Sequence, residues 1–294
     1  MYFISGATGN IGREIVRLLH AAGRPVRALT RQHGDRGFPE GVEIVRGDIR
    51  RDLRPIAEAL SGVRGVFLNS DATGPATAEF LRAAHDQGVE HVVLISSVYV
   101  RDGVPADEQR DEIARMHRRS EELAEESGLA WTHVRAEEFA LNDLLHLVPQ
   151  IRYGDTVYGP YAHAGTPTVH EHDLAAVAAR ALLDGAAVHG GTALPVTGPE
   201  VLTEPDRVRL LARVTGRMLS HREITPEEGR QHLLRAGISD GIADAVLTEL
   251  AARTENPAPV SDTVERLVGR PTLSYQDWLS DHQADIDKAL KASE

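Results

Sequence analysis

The 294-residue sequence contains no cysteine, and lysine is almost absent from it. Without cysteine the chain can form no disulfide and no thiolate metal site, and it has no thiol nucleophile. Of its 32 basic residues only Lys288 and Lys291 are lysines, and every other one is arginine. A lysine acid or a Schiff base elsewhere in the chain is therefore excluded. We interpret the preference for arginine as the mark of a GC-rich genome.

Long apolar runs are also missing. No run reaches the roughly 18 apolar residues of a membrane-spanning helix, and the opening residues, MYFISGATG, lack the basic and apolar segments of a secretory signal. We therefore expect a cytoplasmic protein that does not enter a membrane. The net charge of −12 argues against direct binding to nucleic acid, which requires a basic patch. A small-molecule substrate is expected, and both a homo-oligomer and a protein partner stay open.

Short β-branched runs alternate with helical stretches through the first half of the chain. The predicted strands are Tyr2–Ser5, Val26–Arg31, Val42–Arg46, Gly65–Asn69, His91–Ser96 and Trp131–Arg135. The predicted helices are Gly12–Ala22, Ile56–Leu60, Ala76–Gln87 and Asp111–Ser127. Parallel strands need crossover connections, so this alternation predicts an α/β fold with a doubly wound parallel sheet of the Rossmann type.

The residue composition changes after residue 150, where Gly, Tyr and Pro become frequent. We predict a Rossmann domain over residues 1–150, to which residues 170–200 return, and a smaller, mostly helical substrate-binding domain over residues 151–294. A helix is expected from His172 to Leu183 with Asp173 as its N-cap. Capping signals at Thr225 and Ser239 predict two later helix starts.

The segment GATGNIG, residues 6–12, lies between a predicted strand and a predicted helix. In that context Gly6 allows a tight turn, Gly9 lets the backbone approach a pyrophosphate, and Gly12 lets the helix pack closely on the strand. The helix amino terminus adds amide donors and a favourable dipole for phosphates. The other residues of this turn that we assign to the cofactor are Thr8, Asn10 and Ile11.

The end of the second predicted strand indicates which dinucleotide binds. NAD-specific proteins carry an acidic residue there for the ribose 2′-hydroxyl, but this chain has Leu29-Thr30-Arg31. A guanidinium at Arg31 can pair bidentately with a 2′-phosphate. NADP(H) is therefore favoured over NAD(H). The alternative is that Arg31 is simply an exposed arginine in an arginine-rich chain.

Several segments together resemble the NmrA-like group of atypical short-chain dehydrogenases: GATGNIG, Gly47-Asp48, HVVLISS, SGLAWTHVR and TGPEVLT. The resemblance covers nearly the whole chain, and the family ranges from NADPH-dependent quinone or enone reductases to redox-sensing regulators. It implies a Rossmann domain with a smaller substrate domain. It also implies cofactor contacts from Asp48 at the adenine, from Leu68 and Asn69 at the ribose, and from Ser96, Ser97 and Phe139 at the nicotinamide. The chain departs from the family's Arg-Pro at Arg135-Ala136.

The proton-transfer pair of ordinary short-chain dehydrogenases, Tyr-x-x-x-Lys, falls on Ile113 and His117 in this sequence. An isoleucine cannot exchange a proton, so carbonyl reduction by the usual route is not supported. His117 has three readings: a ribose-binding residue, a catalytic acid, or a packed side chain. Tyr99 and Ser97 complete the candidate catalytic set, because a phenol near the Ser-containing strand is an alternative proton donor.

A second polar cluster gathers between residues 153 and 173. Its histidine and carboxylate spacing fits no zinc motif, so we predict no metal site. Tyr158, Tyr161 and His163 are predicted to contact the substrate.

These features favour an NADPH-dependent oxidoreductase acting on a small conjugated acceptor such as a quinone, an enone or a polyketide-like compound. Hydride transfer to such an acceptor tolerates a missing tyrosine, because water or a weak donor can protonate the product. The alternatives are a non-catalytic regulator that senses NADP(H), and an isomerase or dehydratase that retains its cofactor.

Overall fold

The computed structural model describes residues 1–31 and 37–291. The strands are β1 Tyr2–Ile4, β2 Val26–Thr30, β3 Glu43–Arg46, β4 Gly65–Leu68, β5 His91–Ser97, β6 Ala130–Ala136, β7 Thr156–Gly159, β8 Gly165–Thr166, β9 Thr192–Val196, β10 Leu202–Thr203 and β11 Ser220–Glu223. The helices are α1 Asn10–Ala21, α2 Arg54–Glu58, α3 Ser70–Thr73, α4 Thr77–Asp86, α5 Glu112–Glu125, α6 Asp143–His146, α7 Glu171–Asp184, α8 Ala186–His189, α9 Glu204–Thr215, α10 Pro226–Arg235, α11 Asp240–Glu255, α12 Thr263–Val268, α13 Tyr275–Asp281 and α14 Gln283–Lys291.

Seven strands form one sheet in the order β3-β2-β1-β4-β5-β6-β9. Every pairing within it is parallel. The chain runs outward from β1 in one direction and then from β4 in the other, so a crevice opens between β1 and β4 at the carboxyl ends of the strands. This is a doubly wound sheet of the Rossmann type, and the predicted fold class is confirmed.

Each face of the sheet has its own apolar core. On one face α1 and α7 cover the sheet with side chains such as Ile15, Leu19 and Leu174. On the other face Ile56 of α2 and Phe80 of α4 pack beside the buried side of α5. A strand covered on both faces must be apolar or otherwise buried along its whole length, and all seven residues of β5 are buried.

A third apolar core lies in the carboxy-terminal half. Ile151 and Val157 pack there against Leu211 of α9 and against Tyr275 and Trp278 of α13. Two small sheets, β7 with β11 and β8 with β10, border this core. Residues 170–200 supply α7 and β9, which belong to the large sheet layer. The division into two domains at residue 150 stays a prediction.

Several sequence-based expectations agree with these elements within a few residues. The helix starts at Thr225 and Ser239 are confirmed, because the two side chains accept hydrogen bonds from the backbone of Glu228 and Ile242. The capping role of Asp173 is wrong. The N-cap of α7 is His170, which accepts from the backbone N–H of His172.

Asp173 instead lies inside the first turn of α7 and is fully buried. Its carboxylate accepts a hydrogen bond of 2.8 Å from the backbone of Leu273 and pairs with Arg270 at 2.6 Å. The residue therefore fastens α7 to the segment that leads into α13. The sequence offered no sign of these partners, since they lie about a hundred positions away.

Met116 of α5 points away from the sheet, and half of it is exposed. The buried residues of α5 are Ala114, Glu121 and Ala124. Successive helix positions turn by about 100°, which carries Met116 about 200° away from Ala114.

None of the helices in the described part of the chain is both long and apolar enough to cross a bilayer.

Candidate functional site

The glycine-rich turn joins β1 to α1. Gly6 has a φ of +61°, a left-handed conformation that favours glycine, and its carbonyl accepts a hydrogen bond of 2.9 Å from the backbone N–H of Gly9. A Cβ on Gly12 would lie 2.4 Å from the carbonyl oxygen of Gly6. The turn is therefore closed so tightly against the helix that only glycine fits at that position.

Two further elements surround this turn. The backbone N–H of Asn69, directly after β4, donates to the hydroxyl of Ser5 at 2.8 Å. The side chain of Asn69 accepts from the backbone of Asp71 at 3.0 Å. Leu68 is fully buried, so any contact it makes with a ligand in the crevice involves its backbone.

Arg31 and Asp48 lie at the other end of the crevice, after β2 and β3. Arg31 is exposed and makes no hydrogen bond to the residues that the structure describes. Asp48 accepts hydrogen bonds from the side chain and the backbone of Arg50, which lower the pKa of its carboxyl, and the charge of Arg31 adds a smaller effect in the same direction. Arg31 is thus a guanidinium open to solvent near the carboxylate assigned to the adenine.

The carboxyl end of β5 contains Ser96 and Ser97, both buried. Ser96 donates its hydroxyl hydrogen to Glu121 of α5 at 2.7 Å, so only its lone pairs are available to a ligand. Ser97 accepts a hydrogen bond from the backbone of Tyr99 at 3.2 Å. Ser96 pairs in register with Arg135 of β6.

A buried ion pair lies behind these serines. Arg135 donates two hydrogen bonds of 2.9 Å to Glu121, which is completely buried, and it also pairs with Asp102 at 2.7 Å. Burial raises the pKa of Glu121, but the hydrogen bonds from Arg135 and Ser96 and the charge of His133 outweigh this, and the net pKa is lowered. Arg135, which precedes the Ala136 that stands where the family has proline, is therefore part of a buried ion pair beneath the site.

His117 and Tyr99 face the same cavity from α5 and from the end of β5. The Nδ1 atom of His117 is buried and has no hydrogen-bond partner among the described residues. Burial lowers the pKa of His117, so its ring is neutral at pH 7. Burial and the charge of Glu137 raise the pKa of Tyr99 well above 10. The hydroxyl of Tyr99 makes no hydrogen bond within residues 1–31 and 37–291.

These side chains border one cavity of about 1200 Å³. Its inner end is formed by the carboxyl ends of β5 and β6, and its outer wall by α10 and α11. The cofactor residues assigned from the sequence that line it are Ile11, Asn69, Ser96, His117 and Phe139. Those that do not line it are Gly6, Thr8, Gly9, Asn10, Gly12, Arg31, Asp48 and Leu68. The first group surrounds the space next to Ser97 and Tyr99, and the second lies along the crevice that leads to it.

The cavity also contains charged residues that sequence reasoning missed. Glu137 accepts two hydrogen bonds of 3.0 Å from Arg253 of α11, whose guanidinium lies 5.5 Å from the ring centre of Tyr99. Burial raises the pKa of Glu137. The position of Glu137 directly after β6 was a usable signal. The position of Arg253, 116 residues later, gave no signal in the sequence that it would reach this site.

A second buried pair joins Asp143 of α6 to Arg207 of α9 at 2.9 Å. Tyr275 donates its hydroxyl hydrogen to the same carboxylate at 2.6 Å. Burial raises the pKa of Asp143 to about 7, against the opposing charge of Arg207. Asp143 and Arg207 line the cavity, so this pair fixes α9 beside the strand ends.

Of the three residues predicted to contact substrate, the structure brings only Tyr158 to the cavity. Tyr161 and His163 lie in a turn beyond β7 and do not line it. That turn is closed by a hydrogen bond from the backbone of Ala164 to the carbonyl of Tyr161 at 2.8 Å. It is held against Glu223 at the end of β11, which directs His163 to solvent. The substrate role of Tyr161 and His163 has no support from this geometry.

Over residues 1–31 and 37–291, two groups of side chains have atoms suited to metal binding within 4.8 Å of one another. One consists of His170, His172 and Asp281, and the other of Glu121, Glu125 and His133. In the second group the glutamates already pair with arginines. The expectation that the chain holds no metal stays a prediction.

Comparison with known proteins agrees with this geometry. Residues 6–185 match the family model described as NAD(P)H-binding. The chain is 35% identical over 291 residues to a (4-alkanoyl-5-oxo-2,5-dihydrofuran-3-yl)methyl phosphate reductase of Streptomyces griseus, covering 96% of this chain and 98% of that protein. It is 31% identical over 296 residues to an NAD(P)H azoreductase of Xenophilus azovorans, covering 98% of this chain and all of that protein.

Among solved structures, the fold is similar to that of an NADPH-dependent quinone oxidoreductase of Escherichia coli. The TM-score is 0.78 at 22% identity, over 96% of this chain and 99% of that chain. A likeness at this identity concerns the fold. The family match spans the glycine-rich turn and five of the seven strands of the large sheet, β2 to β6, and it confirms the resemblance found in the sequence motifs. The chain belongs to the NAD(P)H-binding family.

Proposed function

We propose that this protein is an oxidoreductase that uses NADPH to reduce a small conjugated acceptor, such as a quinone, an enone or a polyketide-like compound. One observation carries the proposal: a single cavity joins the polar strand ends at Ser97 and Tyr99 to an apolar wall formed by Ile242, Val246 and Leu250 of α11. Such a wall suits a flat apolar molecule. Two relatives that are more than 30% identical over nearly the whole chain are reductases.

The residues present fit a dinucleotide. The turn at Gly6 leaves no room for a Cβ on Gly12, as required where the helix packs closely on the strand in a dinucleotide-binding turn. The buried, unpartnered Nδ1 atom of His117 is available to a ribose hydroxyl, and the exposed guanidinium of Arg31 is available to a 2′-phosphate. When bound, the cofactor supplies the hydride, and these residues hold and orient it.

Tyr99 is the side chain best suited to assist the acceptor. Hydride addition leaves negative charge on an oxygen or nitrogen of the acceptor, and a hydrogen-bond donor stabilises that charge. The raised pKa of Tyr99 keeps its hydroxyl protonated at neutral pH, and this donor has no partner among the described residues. The neutral His117 is assigned to the cofactor, and Ser97, which already accepts from the Tyr99 backbone, to positioning that loop.

We also propose that residues from 151 onward supply the substrate-facing wall. Support comes from α10 and α11, which line the cavity through side chains such as Leu233, Leu247 and Leu250. The cofactor-facing wall comes from the sheet and from His117 of α5.

The test is NADPH oxidation by the purified protein against a panel of quinones, enones and azo compounds, together with calorimetric titration of NADPH and NADH. We expect turnover with at least one acceptor and tighter binding of NADPH. A protein that binds NADPH tightly but oxidises it with no acceptor would contradict the proposal and favour a cofactor sensor.

The role of Tyr99 has its own test. Tyr99→Phe removes only the hydroxyl, so we expect kcat to fall by about 100-fold, the size of a general acid contribution, with NADPH affinity unchanged. Tyr153→Phe is the matched control, because Tyr153 is 74% exposed and does not line the cavity. Equal kcat for Tyr99→Phe and the wild type would assign proton transfer to water.

A further inference from the structure

Within the part of the chain that the structure describes, four arginines line the cavity, and they fall into two pairs with different surroundings. Arg207 and Arg253 are buried and bound to carboxylates at 2.9 and 3.0 Å. Arg119 of α5 and Arg235 of α10 are exposed, and neither makes a hydrogen bond or an ion pair within the part of the chain that the structure describes. The second pair is therefore free to bind a ligand in the cavity.

The acidic side chains of the cavity do not compensate these two arginines. Glu137 and Asp143 pair with the buried arginines, Glu249 pairs with Arg253 and with Arg110, and Glu204 bonds to His221 at 2.8 Å. The remaining acids that line the cavity are Asp71 and Glu138, and Glu138 lies 3.6 Å from Arg207. The chain has 44 acidic and 32 basic residues, so uncompensated arginines beside a cavity run against its general balance.

His232 adds a third donor on the same wall. It lines the cavity from α10, and it lies three positions before Arg235, so the two side chains share one face of that helix. Arg235 is in the last turn of α10. Planar guanidinium groups pair bidentately with phosphate and carboxylate oxygens, and such charge-assisted bonds are strong.

We propose that Arg119 and Arg235, assisted by His232, bind an anionic substituent of the acceptor, so that the protein reduces apolar compounds carrying a phosphate, sulfonate or carboxylate group. This rests on the proposed function, because the ligand is the acceptor of the same cavity. The apolar side chains of α11 hold the conjugated part, and the two arginines hold the charged group. The cofactor phosphates belong to the crevice around Gly9 and Arg31, away from these residues.

The test is calorimetric titration of the protein, saturated with NADP⁺, with 1-naphthyl phosphate, 1-naphthoic acid and 1-naphthol. Saturation fills the phosphate sites of the crevice, so the titration reports on the cavity. We expect the two anions to bind about 10-fold to 100-fold more tightly than the neutral naphthol, as charge-assisted hydrogen bonds allow, with the larger factor for the phosphate. The preference should weaken with added salt, because both arginines are exposed.

Arg119→Gln and Arg235→Gln should each reduce this preference about 5-fold to 10-fold and leave naphthol binding unchanged. Arg213→Gln is the matched control: it removes the same charge from an exposed residue of α9 that does not line the cavity. Equal binding of anion and naphthol, or an equal loss in the control, would overturn the proposal. Turnover is not part of this titration, so an intact preference without NADPH oxidation would overturn only the proposed function.

Discussion

Replacing Arg135 with methionine would leave the carboxylate of Glu121 buried without its main partner. Glu121 is 0% exposed and takes two hydrogen bonds of 2.9 Å from Arg135. Breaking such a buried pair costs about 3–5 kcal/mol. Arg118 and Ser96 stay within 3.3 and 2.7 Å of that carboxylate, so we expect the lower end, about 3 kcal/mol. An unfolding entropy of about 2.1 cal/mol/K per residue, taken over 294 residues, converts this loss to a fall in Tm of about 5 °C.

The pH dependence gives this prediction a second readout. The folded-state pKa of Glu121 is lowered, so its ionised form contributes stability above the unfolded pKa, and this contribution is lost as the pH falls through the folded pKa. In the Arg135→Met variant most of this contribution to stability is missing. The difference in the free energy of unfolding between the wild type and Arg135→Met should therefore be largest near about pH 7, and it should become smaller towards about pH 4.

Urea unfolding at about pH 7 and about pH 4 measures both the loss of stability and its dependence on pH. Arg64→Met is the control, because Arg64 pairs with Glu90 at 2.9 Å while both side chains are about 60% exposed; such a pair contributes about 1 kcal/mol or less. In the double variant Glu121→Leu/Arg135→Met most of the stability should return, since no isolated charge remains. A loss in Arg135→Met no larger than in Arg64→Met, or one that is equal at both pH values, would refute the reasoning.

Three further predictions follow from single contacts. Gly12→Ala places a Cβ 2.4 Å from the carbonyl oxygen of Gly6, so calorimetry should show NADPH affinity reduced at least about 10-fold, whereas Gly154→Ala, which meets nothing within 4 Å, should bind normally. The hydrogen bond from His282 to Glu171 raises the histidine pKa from 6.5 to about 8; this stability is complete below the unfolded pKa of 6.5 and is lost as the pH rises through 8. The side chain of His282 is only 15% exposed, and a pKa rise of this size corresponds to about 2 kcal/mol, so urea unfolding should show a loss of up to that amount, and the loss should be absent from His282→Asn. Thr225→Ala removes the capping box of α10 and should lower the free energy of unfolding by about 1 kcal/mol, and an unchanged urea midpoint would contradict this.

Local patterns in the sequence were sufficient to predict much of the large sheet layer. The turn from Gly6 to Gly12 depends on conformations that only glycine adopts freely, and these are visible in the residues themselves. The helix start at Thr225 depends on a side chain and a backbone amide three residues apart. Such interactions are encoded within one turn of chain, so the sequence reports them directly.

The partners of buried polar groups could not be predicted in the same way. Ser96 was assigned to the cofactor, but its hydroxyl hydrogen goes to Glu121, 25 positions later. The turn at His163 was expected in the cavity, but Glu223 of β11 holds it elsewhere. In each case the decisive contact joins distant segments, and many carboxylates in the chain were equally plausible partners.

Among the described residues, two ion pairs that line the cavity and one that lies beneath it connect the region of β6 to other elements: Glu137 with Arg253, Asp143 with Arg207, and Glu121 with Arg135. A buried ion pair is often no more stabilising than well-packed apolar residues of the same size, because desolvation offsets the attraction. These ion pairs therefore affect the site mainly through the positions of the elements they join, and less through the stability of the fold. Each pair joins two elements that are distant in sequence or in different layers, so together they hold α5, α11 and α9 around the ends of the strands. This arrangement holds the apolar wall of α11 opposite Tyr99, where the proposed reduction requires it.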